Sequence, residues 1–257
     1  MDGDDRLGLP GIGGTVPLDR AWALFLDVDG TLLDIAERPD EVRVPSRLID
    51  DLARLAERLG GALALVSGRP VASLDALFAP LVLPAAGQHG AEIRMKSHSE
   101  VSVTPPVAAL AGVADGVLAL ARRWPGVTVE DKGNAVAVHY RLAPAAREPI
   151  AAALRRIADR LGHEVELLDG KMVFELRERG VTKGSAVRAF MAHPPFAGRC
   201  PVFIGDDVTD EDGFRAVEAA GGIALPVGAH AGAPRRPAFA DPAAVRSWLA
   251  DRANGAR

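Results

Sequence analysis

Two aspartates, Asp27 and Asp29, stand two residues apart in the stretch LFLDVDGTLL, at the end of an apolar run with no basic residue inside it. Like charges this close repel each other and resist burial, so their pairing points to a task rather than to packing. Side chains two apart on an extended chain point the same way, so both carboxylates can reach one substrate. Three further stretches carry groups suited to the same chemistry: Ser67-Gly68-Arg69, Lys183, and the acidic run GDDVTDED at 205–212. Each follows, or lies just past, a run expected to be a strand. Ligands of open α/β sheets bind outside the carboxyl ends of the strands.

If these segments face one another, Lys183 alone balances Asp27, Asp29, Asp206, Asp207 and Asp210. Such a balance calls for a cation. Hard oxygen donors without Cys or His among them suit Mg2+. Calcium-loop spacing fails, because counting from Asp27 puts Leu32 at position 6 instead of Gly and Arg38 at position 12 instead of Glu. One aspartate can attack phosphorus to give an aspartyl-phosphate. The other can protonate the leaving oxygen and later take a proton from water. Ser67 can donate to a phosphoryl oxygen, while Lys183 and the metal offset developing charge. Taken singly, each group has a plainer reading: a helix cap, a turn, a solvated lysine. Their order and placement together favour phosphoryl transfer.

Composition narrows the classes. At 257 residues, 48% hydrophobic and 25% charged, the chain suits a globular protein with one large core or a core plus an inserted module. A net charge of −4 disfavours nucleic-acid binding. A lone Cys200 excludes a disulfide framework and fits a reducing compartment. No apolar run approaches the roughly 18–20 residues of a membrane helix. The acidic, Gly-rich start lacks the make-up of a signal peptide and is expected to be a flexible arm over residues 1–20. These features together predict a cytoplasmic monomer with no membrane or nucleic-acid partner. Lysine is scarce: 26 arginines stand against Lys96, Lys132, Lys171 and Lys183. A compact ammonium cannot be mimicked by guanidinium, which draws attention to each of the four.

The elements that must position these groups follow from periodicity. Apolar runs at 22–27, 62–68, 81–84, 91–95, 200–205 and 222–225 read as strands. Helices are expected from Pro45 to the Gly60-Gly61 stop, and at 71–78, 182–193 and 211–220, with Asp241-Pro242 capping a last one. Strands apolar throughout, alternating with helices, argue a parallel sheet covered on both faces. Between them the pattern changes to helix (106–124), hairpin (126–141, turning at 131–133), helix (144–161) and hairpin (164–177, turning at Asp169-Gly170). The expected class is α/β: a Rossmann-like parallel-sheet core over 21–103 and 180–257, with an inserted α+β cap domain over 104–179.

DVDGT after an apolar strand, VSGR, a downstream lysine and GDDVTDED resemble the four motifs of the haloacid dehalogenase (HAD) superfamily phosphatases, over nearly the whole chain from about residue 21. The resemblance implies that Asp27 is the nucleophile and Asp29 the general acid/base. It also implies Mg2+ held by Asp27, the backbone carbonyl of Asp29 and Asp206, with Asp210 in support and Asp207 left without an assigned role. The inserted module resembles the type IIB caps of the branch that dephosphorylates sugars.

The cap hairpins carry Glu130, Lys132, Arg141, Lys171, Glu175 and Arg177. Carboxylates alternating with cations suit sugar hydroxyls, which both donate and accept. The stretches VEDKG…HYR, GKMVFELR, GVTKG and GDDVTDEDGF together resemble the trehalose-6-phosphate phosphatase family. Carried over by position, this implies that Glu130, Lys132, Arg141, Lys171 and Glu175 contact the distal glucose. Arg69 and the GQHG loop with His89 would lie near the sugar phosphate. Two departures from the family are Gln88, where Asn is usual, and Glu178-Arg179, where Arg-Pro is commoner. Other sugar phosphates (sucrose 6-phosphate, mannosyl-3-phosphoglycerate) and a catalytically silent regulatory subunit stand as the alternatives.

Overall fold

The computed structural model describes residues 6–7, 16–17, 21–35, 42–170, 172–228 and 235–255. The expected N-terminal arm lies outside them, save for the antiparallel pair β1 (Arg6–Leu7) and β2 (Val16–Pro17). The remaining elements, in chain order, begin with β3 (Trp22–Leu26), α1 (Ser46–Arg58), β4 (Leu63–Val66), α2 (Val71–Phe78), β5 (Ala85–Gly87), β6 (Glu92–Arg94) and β7 (Ser102–Val103). There follow α3 (Val113–Ala121), β8 (Thr128–Asp131), β9 (Ala135–His139), α4 (Arg147–Leu161), β10 (Val165–Gly170) and β11 (Val173–Glu178). The chain closes with α5 (Lys183–Met191), β12 (Cys200–Gly205), α6 (Glu211–Ala219), β13 (Ile223–Pro226) and α7 (Pro242–Ala253). Two compact units result: Met1–Ser102 with Lys183–Arg257, and Val103–Thr182.

In the first unit the sheet order is β13-β12-β3-β4-β5-β6-β7. The strands from β13 to β5 are parallel, while β6 returns antiparallel on β5. All five residues of β3 are fully buried, as a strand covered on both faces requires. Trp22 stacks on Trp248 of α7, whereas Phe25 meets Phe190 of α5 and Phe203 meets Phe214 of α6, so helices lie on both sides. Each such side chain contributes about 1.5–3 kcal/mol through burial. The chain leaves β3 for β4 on one side and comes back as β12 on the other. This reversal of strand order opens a crevice at the carboxyl end of β3. The expected Rossmann-like class is therefore the one adopted, amended by the antiparallel edge.

The second unit is an antiparallel sheet in the order β10-β11-β9-β8. One face, with Val136, Val138, Phe174 and Leu176, packs on Val117 of α3 and on Ile150 and Leu154 of α4. The other face sets Glu130, Ala137 and Glu175 in one cross-strand row. Alanine between two acids leaves a bare floor flanked by carboxylates.

Three local expectations are corrected. Residues 81–84 are not a strand: the Leu83 carbonyl accepts from Arg94 Nε (3.0 Å) and Nη2 (2.8 Å), and the ladder starts after it, at 85–87. The helix expected over 106–124 is broken by Gly112 at φ 71°, so that only Val113–Ala121 is α-helical. In the second hairpin Gly170 pairs with Val173, so the chain reverses after Gly170, with Met172 left-handed at φ 64°, and Asp169 stays in the strand.

Candidate active site

Asp27, Ser67 and Asp206 each follow the last residue of a central strand, β3, β4 and β12 respectively. The parallel register pairs Leu26 with both Leu65 and Ile204, and the Asp27 amide bonds the Ile204 carbonyl at 3.0 Å. The strand ends are thus level, and three separate motifs open on the same edge. Lys183, the first residue of α5, is buried and donates through Nζ to Asp27 Oδ1 and to Asp210 Oδ1, both at 2.6 Å.

The acidic groups are seated closely. Carboxylate oxygens of Asp27, Asp206 and Asp210 lie within 4.8 Å of one another. Thr31 Oγ1 sits 3.1 Å from Asp27 Oδ2 and 3.0 Å from Asp206 Oδ1. One hydroxyl proton serves one of these oxygens at a time, so charge is left over. Gly30, at φ 86°, is required here: a Cβ would fall 2.1 Å from Asp206 Oδ2. Asp210 Oδ2 accepts the amides of Asp206 and Asp207, both at 2.9 Å, while its Oδ1 takes Lys183. Asp210 is therefore a support for the loop, and Asp207 caps it by accepting from the Val208 amide at 2.7 Å.

Electrostatics follow from that crowding. Burial, and then Asp210, push the Asp27 carboxyl well above the usual aspartate range, against the pull of Lys183. The Asp206 carboxyl is raised to about 6, first by burial and then by Asp210. Burial disfavours the Lys183 ammonium, but Asp210 and Asp27 outweigh it and hold its pKa above the ordinary lysine value. Three carboxylates against one ammonium leave a deficit that a divalent cation on hard oxygen donors would remove. The donor set fits such an ion.

Asp29 points elsewhere. Its Oδ2 and Oδ1 accept from Arg69 Nε (2.7 Å) and Nη2 (2.8 Å), a bidentate clamp joining the first motif to the second. Arg69, expected at the sugar phosphate, is thus engaged with Asp29. The Arg69 amide donates to Ser67 Oγ at 3.2 Å, which leaves the Ser67 proton for another acceptor. His89 bonds the same segment through its amide, which donates to the Ser67 carbonyl at 3.0 Å.

A second polar group belongs to the Val103–Thr182 unit. Lys132 Nζ donates to buried Glu175 at 3.0 Å, and His139 Nε2 lies 3.1 Å from Glu130 Oε2. The bond with His139 holds the Glu130 carboxyl below its ordinary value. Arg141 lies exposed two residues past β9, Arg177 pairs with Glu166 at 2.8 Å, and Lys171 falls outside the described residues. Sequence reasoning had not singled out Thr31 or His139, although both lie inside stretches it used, DVDGT and HYR.

Comparison with known proteins bears on what this arrangement does. The sequence model of the family described as Trehalose-phosphatase matches residues 25–238. A Sinorhizobium fredii protein named "Probable trehalose-phosphate phosphatase" is 47% identical over 207 residues, covering 80% of this chain and 78% of the relative. The Escherichia coli trehalose-6-phosphate phosphatase is 41% identical over 214 residues, covering 83% and 80%. Among solved structures, a trehalose-6-phosphate phosphatase related protein is similar with a TM-score of 0.71 at 28% identity, covering 90% of this chain and 96% of that one.

Proposed function

This chain belongs to the trehalose-phosphatase family, and from that premise we propose that it hydrolyses trehalose 6-phosphate to trehalose and phosphate. One observation carries the reading: Lys183 bridges Asp27 and Asp210 beside Asp206, at the ends of strands from separate motifs. A Mg2+ ion held by Asp27, Asp206 and the Asp29 carbonyl would neutralise the clustered charge and polarise a phosphoryl oxygen.

The residues divide the work. A carboxylate oxygen of Asp27 bonds to phosphorus while the bond from phosphorus to the sugar oxygen breaks. Asp29, protonated once its carboxyl swings out of the Arg69 clamp, gives its proton to that departing oxygen. Water then attacks the aspartyl-phosphate, Asp29 takes a proton from it, and the phosphorus–Asp27 bond breaks to release phosphate. Ser67 donates its hydroxyl proton to a phosphoryl oxygen, consistent with the Oγ that already accepts from the Arg69 amide. Lys183 holds Asp27 in place and offsets the charge on the phosphoryl oxygens as the bond forms. Glu130, Lys132, Arg141, Lys171 and Glu175 read the distal glucose. Paired acid and base on the Ala137 floor offer donors and acceptors to sugar hydroxyls.

A phosphate-release panel tests this. Trehalose 6-phosphate is expected to be turned over fastest, ahead of sucrose 6-phosphate and mannosyl-3-phosphoglycerate, with all activity lost in EDTA. Asp27→Asn is expected to be inactive while leaving the fold intact. Glu130→Ala is expected to raise KM for trehalose 6-phosphate about tenfold, near 1.4 kcal/mol, and to leave a small aryl phosphate unaffected. Wild-type rates from Asp27→Asn would remove the nucleophile assignment. Equal effects of Glu130→Ala on both substrates would remove the cap as the sugar reader.

A further inference from the structure

Gln88 and His89 both adopt left-handed backbone, at φ 47° and φ 56°. Such positions are uncommon outside glycine, and asparagine, aspartate and histidine tolerate them best. The turn is fastened to the loop after β4 along its length. The Gln88 amide donates to the Arg69 carbonyl and the His89 amide to the Ser67 carbonyl, each at 3.0 Å. Glu92 completes the fastening: Oε1 accepts from Gln88 Nε2 at 2.8 Å and Oε2 from the Val71 amide at 2.6 Å. The Cε1–Nε2 edge of the His89 imidazole lies against Gly68, where a Cβ would fall 2.8 Å from each of those two atoms. Gly68 itself is not among the residues of positive φ, so the ring, not the backbone conformation, is what demands glycine there.

We propose that His89 is a positioning residue: its ring, pressed on Gly68, sets the direction of the neighbouring Ser67 hydroxyl and of Arg69, the clamp on Asp29. This role differs from the place near the sugar phosphate expected of His89 from the sequence, and it rests on the phosphatase reading above. The loop after β4 is short and contains glycine, so without the ring it gains freedom at the one residue between the phosphoryl donor and the clamp. A hydroxyl displaced by a fraction of an ångström stabilises the transferring phosphoryl group less well, which lowers kcat rather than substrate affinity.

The experiment measures kcat and KM for trehalose 6-phosphate and for a small aryl phosphate in His89→Asn, Gly68→Ala and the double variant. Asparagine keeps the left-handed backbone and removes the ring. His89→Asn is expected to lower kcat about tenfold on both substrates, with KM changed less than about twofold. Gly68→Ala, which pushes a methyl into the ring, is expected to lower kcat similarly. The double variant, with the ring gone, is expected to be no worse than either single one. A rise in KM for trehalose 6-phosphate alone would overturn the proposal in favour of a direct sugar contact. Multiplied losses in the double variant would overturn the ring–glycine coupling. If Gly68→Ala fails to fold, the two-substrate split in His89→Asn decides alone. The aryl phosphate keeps the test readable even if the natural substrate proves to be another sugar phosphate.

Discussion

Asp206→Asn removes one of three clustered carboxylates while keeping its shape and an oxygen for the Thr31 hydroxyl. In the metal-free protein the Asp206 carboxyl is raised from 3.8 to about 6, a rise of roughly 2 units. At 1.36 kcal/mol per unit the ionised group costs the folded state about 3 kcal/mol near neutral pH. The sign follows from the raised pKa. The favourable contribution of the protonated acid is complete below about pH 4 and is lost as pH climbs through about 6. Asparagine, always neutral, escapes that loss. In EDTA at about pH 7.5 the variant is therefore expected to melt about 6–12 °C above wild type, at 2–4 °C per kcal/mol, and near pH 4.5 the two are expected to coincide. The same variant is expected to lose Mg2+-induced stabilisation and phosphate release, trading function for stability. Thermal unfolding by circular dichroism, with EDTA or Mg2+ at both pH values, reads all of this. Equal melting temperatures at neutral pH, or a gain of the same size in acid, would refute the account of crowded charge.

Two other substitutions probe the same cluster from different sides. Lys183→Met leaves Asp27 and Asp210 buried without their cation, and urea unfolding in EDTA is expected to show a loss of about 3–5 kcal/mol that shrinks toward pH 5; a loss below about 1 kcal/mol would contradict a buried charge bridge. Gly30→Ala drives a methyl to within 2.1 Å of Asp206 Oδ2 at φ 86°, with strain of order 1–3 kcal/mol. Phosphate release is expected to collapse and Mg2+ is expected no longer to raise the melting temperature, whereas retained metal response would show that Asp206 can move aside.

Much of the core was legible because its signals are local and redundant. WALFL, LALV and CPVFIG are apolar throughout, as strands covered on both faces read. The acids, the serine and the lysine announced themselves by type and by their place just past such runs. What was hidden depends on partners distant in sequence. LVLP is as apolar as a strand, yet the guanidinium of Arg94, anchored on Asp75 at 2.5 and 2.6 Å, takes the Leu83 carbonyl first. Asp169-Gly170 carries a strong turn signal, but Asp169 is held in the strand by Arg147 at 2.5 Å and pairs with Phe174, which stacks on Tyr140. Arg69 could not be known as the holder of Asp29, 40 positions away, from residue types alone. Thr31 and His139 are ordinary residues until their neighbours are placed.

Asp210 has a consequence for where an ion can go. Both its oxygens are already spoken for, one by two amides and the other by the ammonium. Drawing it toward a metal would dismantle the bend of the acidic loop and release Lys183 in the same motion. The rear of the cluster is thus a fixed wall, and a bound ion is biased toward Asp27 and Asp206, leaving its outward side for water or an arriving phosphate.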